Sequence, residues 1–113
     1  MANDIVWLSK IPRELLPGGM AIITVDWSSI GTPSAAGSTY IYRDGEETDY
    51  SSTAMSGSVS LSGNVQTSKT ITAVAADVGR SYIFVAEATI GGVKRFRKLQ
   101  INIVQLSQAL FGQ

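Results

Sequence analysis

Two β-prone runs joined by a glycine pair occupy the last third of the chain and limit what it can fold into. Residues 81–90 read Ser-Tyr-Ile-Phe-Val-Ala-Glu-Ala-Thr-Ile, Gly91-Gly92 follows, and a second run extends over residues 93–104. A Gly-Gly link supplies the positive φ angles that a tight hairpin needs. In the second run Leu99, Ile101 and Ile103 alternate with Lys98, Gln100 and Asn102. That is the period of a strand with one face on a core and the other toward water. The hairpin sets the fold class, and no catalytic constellation accompanies it.

The same signals recur upstream. Residues 20–27 place Ala21, Ile23, Val25 and Trp27 on one face of a strand. Residues 28–38 are a loop rich in Ser, Gly, Pro and Ala. Residues 39–43 are β-prone, Asp44-Gly45 is a turn signal, and residues 46–50 are expected to continue as an exposed strand. Met55, Val59 and Leu61 mark another strand, broken near Ser62-Gly63-Asn64, and residues 65–74 a further one rich in Thr and Val. About seven short strands with turn signals at intervals of roughly 8–12 residues, and no long amphipathic helix, predict an all-β sandwich or barrel. Uneven strand lengths favour an antiparallel sandwich, and the resemblance carried by Gly79 and Tyr82 points to the immunoglobulin-like kind. Gly79 followed by Tyr82 resembles a tyrosine corner, in which a phenol ties a loop to the strand it enters. A tyrosine simply packing at a strand start reads the same residues equally well.

Three regions follow: an N-terminal arm (1–19), the sandwich (20–104) and a C-terminal tail (105–113). In the arm, Trp7 lies among Ile5, Val6 and Leu8 and is a candidate anchor. Pro12 and Pro17-Gly18-Gly19 break regular structure, and a short helical turn is expected at 13–16. In the tail, Leu106, Ala109 and Leu110 have helical spacing over too few residues for a stable helix alone. Leu110 and Phe111 either fold back or insert into a neighbour.

A chain of 113 residues is one domain of ordinary size. Surface scaling lets such a chain bury about two-thirds of its unfolded area, enough for a core without disulfides. There are nine basic and nine acidic residues. A general nucleic-acid binder is usually basic, so neither nucleic acid nor membrane is expected as a partner. The start of the chain lacks a basic leader and a long apolar run, which predicts a protein used without export by the usual signal.

Histidine and cysteine are both missing. That removes the commonest general base, the Ser-His-acid triad, thiol nucleophiles and most zinc sites. No cofactor or metal is expected, and an enzyme is the least favoured class. Asp44, Glu46, Glu47 and Asp49 could offer oxygens to a calcium ion, but lack EF-hand spacing and read better as a solvated acidic turn. Lys94, Arg95, Arg97 and Lys98 form a basic run within a strand. Alternation sends Lys94, Phe96 and Lys98 to one face and Arg95 and Arg97 to the other. The run reads as a charge-guarded edge strand, as a contact for acidic loops of a neighbouring protein, or, least, as a nucleic-acid contact.

Val25-Asp26-Trp27-Ser28, Ser62-Gly63 before a Thr-rich strand, Gly79-Arg80-Ser81-Tyr82 and Arg95-Phe96-Arg97-Lys98 together resemble the small immunoglobulin-like virion proteins of tailed bacteriophages, the fibre–tail adaptor or neck proteins. The resemblance covers about 80 of the 113 residues. It implies a non-enzymatic adaptor at the head–tail junction or tail of a virion, present as a homo-oligomeric ring. Its partners would be portal, neck, tail or fibre components. In such a ring Arg95, Arg97 or Lys98 would meet Asp44, Glu46, Glu47 or Asp49 across a subunit boundary, with Trp7, Leu110 and Phe111 as anchors. A capsid decoration or head-fibre protein is the nearest alternative. A carbohydrate-binding module is another, with Tyr40, Tyr42 and Tyr50 as its aromatic platform.

Overall fold

The computed structural model describes residues 5–7 and 13–105. The strands in chain order are β1 (Ile5–Trp7), β2 (Arg13–Leu15), β3 (Met20–Ala21), β4 (Thr24–Asp26) and β5 (Ser38–Arg43), then, after a four-residue helix α1 (Ser51–Ala54), β6 (Met55–Ser56), β7 (Ser60–Ser62), β8 (Val65–Thr67) and β9 (Thr70–Thr72). A 3-10 turn at Ala75–Asp77 leads into β10 (Ser81–Ile90), which pairs with β11 (Val93–Ile103). The fold is all-β and sandwich-like. Leu106–Gln113 lies outside the described residues, and with it the expectations for Leu110 and Phe111.

β10 and β11 form the hairpin read from the sequence. Ile90 pairs with Val93 across Gly91-Gly92, whose φ angles are 61° and 78°. Both central residues are thus left-handed, the geometry of a hairpin turn whose twist matches its strands. On the other side of β10 lies β5, so the order is β1-β11-β10-β5, with β2 also on β11. β1 and β2 run parallel to β11, Trp7 in register with Lys98 and Leu15 with Ile103. Residues 13–15 are therefore a strand, not the helical turn expected there. A free edge of β11 can be satisfied by any extended backbone, and the Pro-rich arm favours extension over helix.

The strand expected over residues 20–27 is broken in two, and so is that over 65–74. Ala21 pairs with Ile71 and Thr24 with Thr67, so Ile22 and Ile23 lie opposite Ser68, Lys69 and Thr70. One residue is extra on the second strand, which is a β-bulge. Ser68 stitches it: its backbone N–H donates to the Ile23 carbonyl (2.9 Å), while its hydroxyl accepts from Ile23 N–H (2.9 Å) and donates to the Lys69 carbonyl (2.7 Å). The bulge bends the layer, so β3-β9-β6 and β4-β8-β7 become separate three-stranded sheets facing the five-stranded one. Residues 46–50 do not form the expected strand; a single bridge joins Tyr42 to Asp49 before α1 begins.

The core lies between the layers. Tyr82, Phe84, Leu99, Ile101, Ile103 and Ile41 come from one side, Ala21, Ile23, Val25, Trp27 and Ile71 from the other. Each large apolar side chain buried here contributes about 1.5–3 kcal/mol. In β8, Val65 is exposed and its neighbour Gln66 is buried. Gln66 accepts from the Trp27 indole N–H (3.1 Å) and donates to the carbonyls of Ala36 (2.8 Å) and Glu87 (3.0 Å). A buried amide with its partners in place links the loop, β8 and β10. Gly37 leaves the space for it: a Cβ at this φ of +74° would overlap the Glu87 carbonyl and lie 2.8 Å from Gln66 Nε2.

Gln66→Leu should fold but lose stability, at about 1–3 kcal/mol for each group left buried without a partner. Chemical denaturation followed by Trp fluorescence checks this; a variant as stable as the parent would show that the amide does not join the layers.

Candidate interaction surfaces

Tyr82 sits at the start of β10 with no exposed surface. Its hydroxyl donates to Asp77 Oδ2 (2.6 Å) and accepts from the Val74 backbone N–H (3.1 Å). The phenol therefore ties the preceding loop to the strand, as the Gly79–Tyr82 spacing suggested. Burial, reinforced by the bond to the Asp77 carboxylate, pushes the phenol well above its ordinary pKa. Asp77 also faces Arg43 Nη1 at 3.5 Å. Arg43 lies 4.3 Å over the Tyr50 ring and binds Glu46 at 3.0 Å. Arg80 closes the chain of charges, reaching Glu46 at 3.1 Å and Asp44 at 3.3 Å.

The acidic turn is thus only partly available to another molecule. Asp44 and Glu46 are held by Arg43 and Arg80 within the chain, and Asp49 Oδ1 accepts from the Ser51 backbone N–H (2.8 Å). Glu47 is exposed. The basic run divides as alternation requires. Arg95 and Arg97 are in register with Ala88 and Ala86, on the core-facing side, and the Arg97 guanidinium lies 5.2 Å from the Trp27 ring. Lys94 and Lys98 are on the outer side, Lys94 bound to Glu87 at 3.3 Å and Lys98 in register with Val85. The acidic turn follows Arg43, opposite Tyr82, and the basic run starts beside Thr89. At about 3.4 Å per residue the two lie roughly 20 Å apart along one sheet. Sequence alternation could not foresee that core-facing Arg97 would lie over an aromatic ring.

The outer face of the five-stranded sheet is the broadest candidate surface. In register across it stand Tyr42, Ile83 and Gln100, then Tyr40, Val85 and Lys98, then Ser38, Glu87 and Phe96. All are partly exposed. Tyr40 donates to Glu87 Oε1 at 3.2 Å, which orients both side chains. Burial and the nearby Asp49 carboxylate raise the Tyr42 phenol pKa, so it stays neutral at physiological pH. Tyr50 does not join these tyrosines. It packs on the core side, 5.9 Å from the Tyr82 ring, so the three-tyrosine platform is not assembled. On the opposite layer Met20 and Ile22 are 69% and 52% exposed, a second apolar spot.

Among the described residues no cluster of three or more His, Cys, Asp or Glu could hold a metal ion, and no helix is long and apolar enough to cross a membrane.

Tyr82→Phe should cost about 1–3 kcal/mol by leaving Asp77 and the Val74 N–H short of a partner. The raised pKa also sets a pH dependence. A phenol that ionises later in the folded state contributes stability present below about pH 10 and lost as pH rises toward its folded value. Melting curves from pH 8 to 11 should fall for the parent and fall less for Tyr82→Phe. Parallel alkaline limbs would remove Tyr82 as the cause. Compared with known proteins, the chain matches no family model, no curated protein and no solved structure.

Proposed function

We propose that this protein is a non-enzymatic structural component of a tailed-phage virion, an immunoglobulin-like adaptor at the head–tail junction or tail that binds neighbouring subunits through its faces and terminal arms. The observation that carries the reading is the outer sheet face, where Tyr40, Tyr42, Ile83, Val85 and Phe96 form a partly exposed strip on a rigid ladder. Apolar and aromatic side chains held together on rigid strands suit protein contact, since buried aromatics dominate interface energy. The lack of histidine and cysteine supports a binding role over catalysis.

The charge layout supports head-to-tail contact between copies, in which one end of a subunit meets a different end of the next. Within that scheme Glu47, the exposed acid of the turn, and Lys98, on the outer face opposite Val85, are the residues the pairing would use. Glu46 and Asp44 are occupied inside the chain, and Arg95 and Arg97 face the core side. A capsid decoration or head-fibre protein would use the same strip at a different place in the particle.

Light-scattering mass of the pure chain, alone and mixed with portal, neck, tail or fibre components, tests this reading. Val85→Glu should leave the melting temperature nearly unchanged and lower the assembled fraction severalfold. Glu47→Lys and Lys98→Glu should each weaken assembly in a salt-dependent way, and the double reversal should restore it. Assembly indifferent to all of these rejects the proposed faces.

A further inference from the structure

We propose that the stretch of the β5 edge that the chain's own ladder does not cap is a docking site for an extended peptide segment of another protein, added as one more strand of the five-stranded sheet. This rests on the reading of the chain as a protein-binding module and specifies how one partner segment is held.

The edge is half capped. Ile41 turns its backbone groups away from β10: its N–H donates to Ser51 Oγ (2.9 Å) and its carbonyl accepts from the Tyr50 N–H (2.8 Å). The chain's own residues thus start a ladder along β5, bridged at Tyr42 and Asp49, and then leave it as α1 begins. In an antiparallel pair the outward-facing groups recur every second residue. Thr39, in register with Ala86, therefore also turns its N–H and carbonyl away from β10. The β11 edge differs, since β1 and β2 lie along it.

Beside Thr39 lies a groove of about 450 Å³. Gly37, Ser38 and Thr39 of the β5 region line it together with Gly57, Ser58 and Lys69. The small residues leave room for a backbone at the strand spacing of about 4.8 Å. Thr39 is only 2% exposed, and its Oγ1 has no hydrogen-bond partner. A backbone donor and acceptor turned away from the sheet are satisfied when a strand is added. Asp49 also lines the groove, with its Oδ1 held by the Ser51 N–H, whereas Lys69 makes no ion pair among the described residues; an acidic side chain on the incoming peptide is therefore favoured beside Lys69. A backbone donor and acceptor continuing a ladder match an extended peptide better than a sugar ring.

The experiment selects binders from a displayed library of random peptides with the full chain as bait, then titrates the synthetic peptides into isotope-labelled protein. The expected result is slowed hydrogen exchange at the Thr39 amide and enrichment of acidic peptides. Ser58→Trp, which fills the groove from its exposed wall, should weaken binding by about tenfold or more with an unchanged melting temperature. Lys69→Glu should weaken acidic peptides selectively. Val85→Glu should leave peptide binding intact, so loss of assembly in that variant and loss of peptide binding in Ser58→Trp report on separate surfaces. Enrichment of no peptide, peptides that perturb Tyr42 and Val85 but not Thr39, or array glycans blocked by Ser58→Trp would each overturn the assignment.

Discussion

The hairpin of β10 and β11 is the constraint on which the rest of the molecule depends. Its ten register pairs place Tyr82 beside Ile101 and Phe84 beside Leu99 on one face, so the ladder presents its own apolar stripe to the second layer. Every other strand of the larger sheet is placed by that ladder: β5 through β10, and β1 and β2 through β11. The second layer has no strand longer than three residues and bends at a bulge. Short strands cannot hold a layer by their ladders alone, so side chains complete the task. Ser68 closes the bulge, and Gln66 links its layer to β10.

Polar groups in this core act as ties, and each tie sits where the chain changes direction. Gln66 takes up the turn of the loop at Ala36, Tyr82 the 3-10 turn before β10, and Ser51 the departure of the chain from β5. Burying such groups is unfavourable unless they are paired, and pairing them specifies one geometry. The surfaces left over are an aromatic strip on the outer face, a partly capped edge, and charges at two ends of one sheet.

Much of the fold was legible from residue pattern. Glycine pairs and period-two alternation revealed the hairpin, the inward set Ala21, Ile23, Val25 and Trp27, and the turn at Asp44-Gly45, because these depend on neighbours in sequence. Most of the misreadings involve distant partners. An unbroken run from residue 20 to 27 looks like one strand until Ser68–Thr70 carries one residue too many opposite it. Nothing near Gln66 in sequence marks it as a core tie; the indole N–H it accepts from belongs to Trp27, 39 residues away. Residues 13–15 carry no strong strand signal and are extended because β11 offers them an edge.

The candidate surfaces divide in the same way. Composition alone removed histidine and cysteine chemistry, since missing side chains cannot be restored by folding, and alternation alone sorted the basic run into two faces. Which charges remain available was a tertiary outcome. Asp44 and Glu46 look like a free acidic patch in the chain, yet Arg80, more than 30 residues away, neutralises them. Local pattern determines which face a side chain occupies, because backbone geometry repeats. Only the packed structure decides what that side chain meets, because its partner comes from a part of the chain that no short-range rule connects to it.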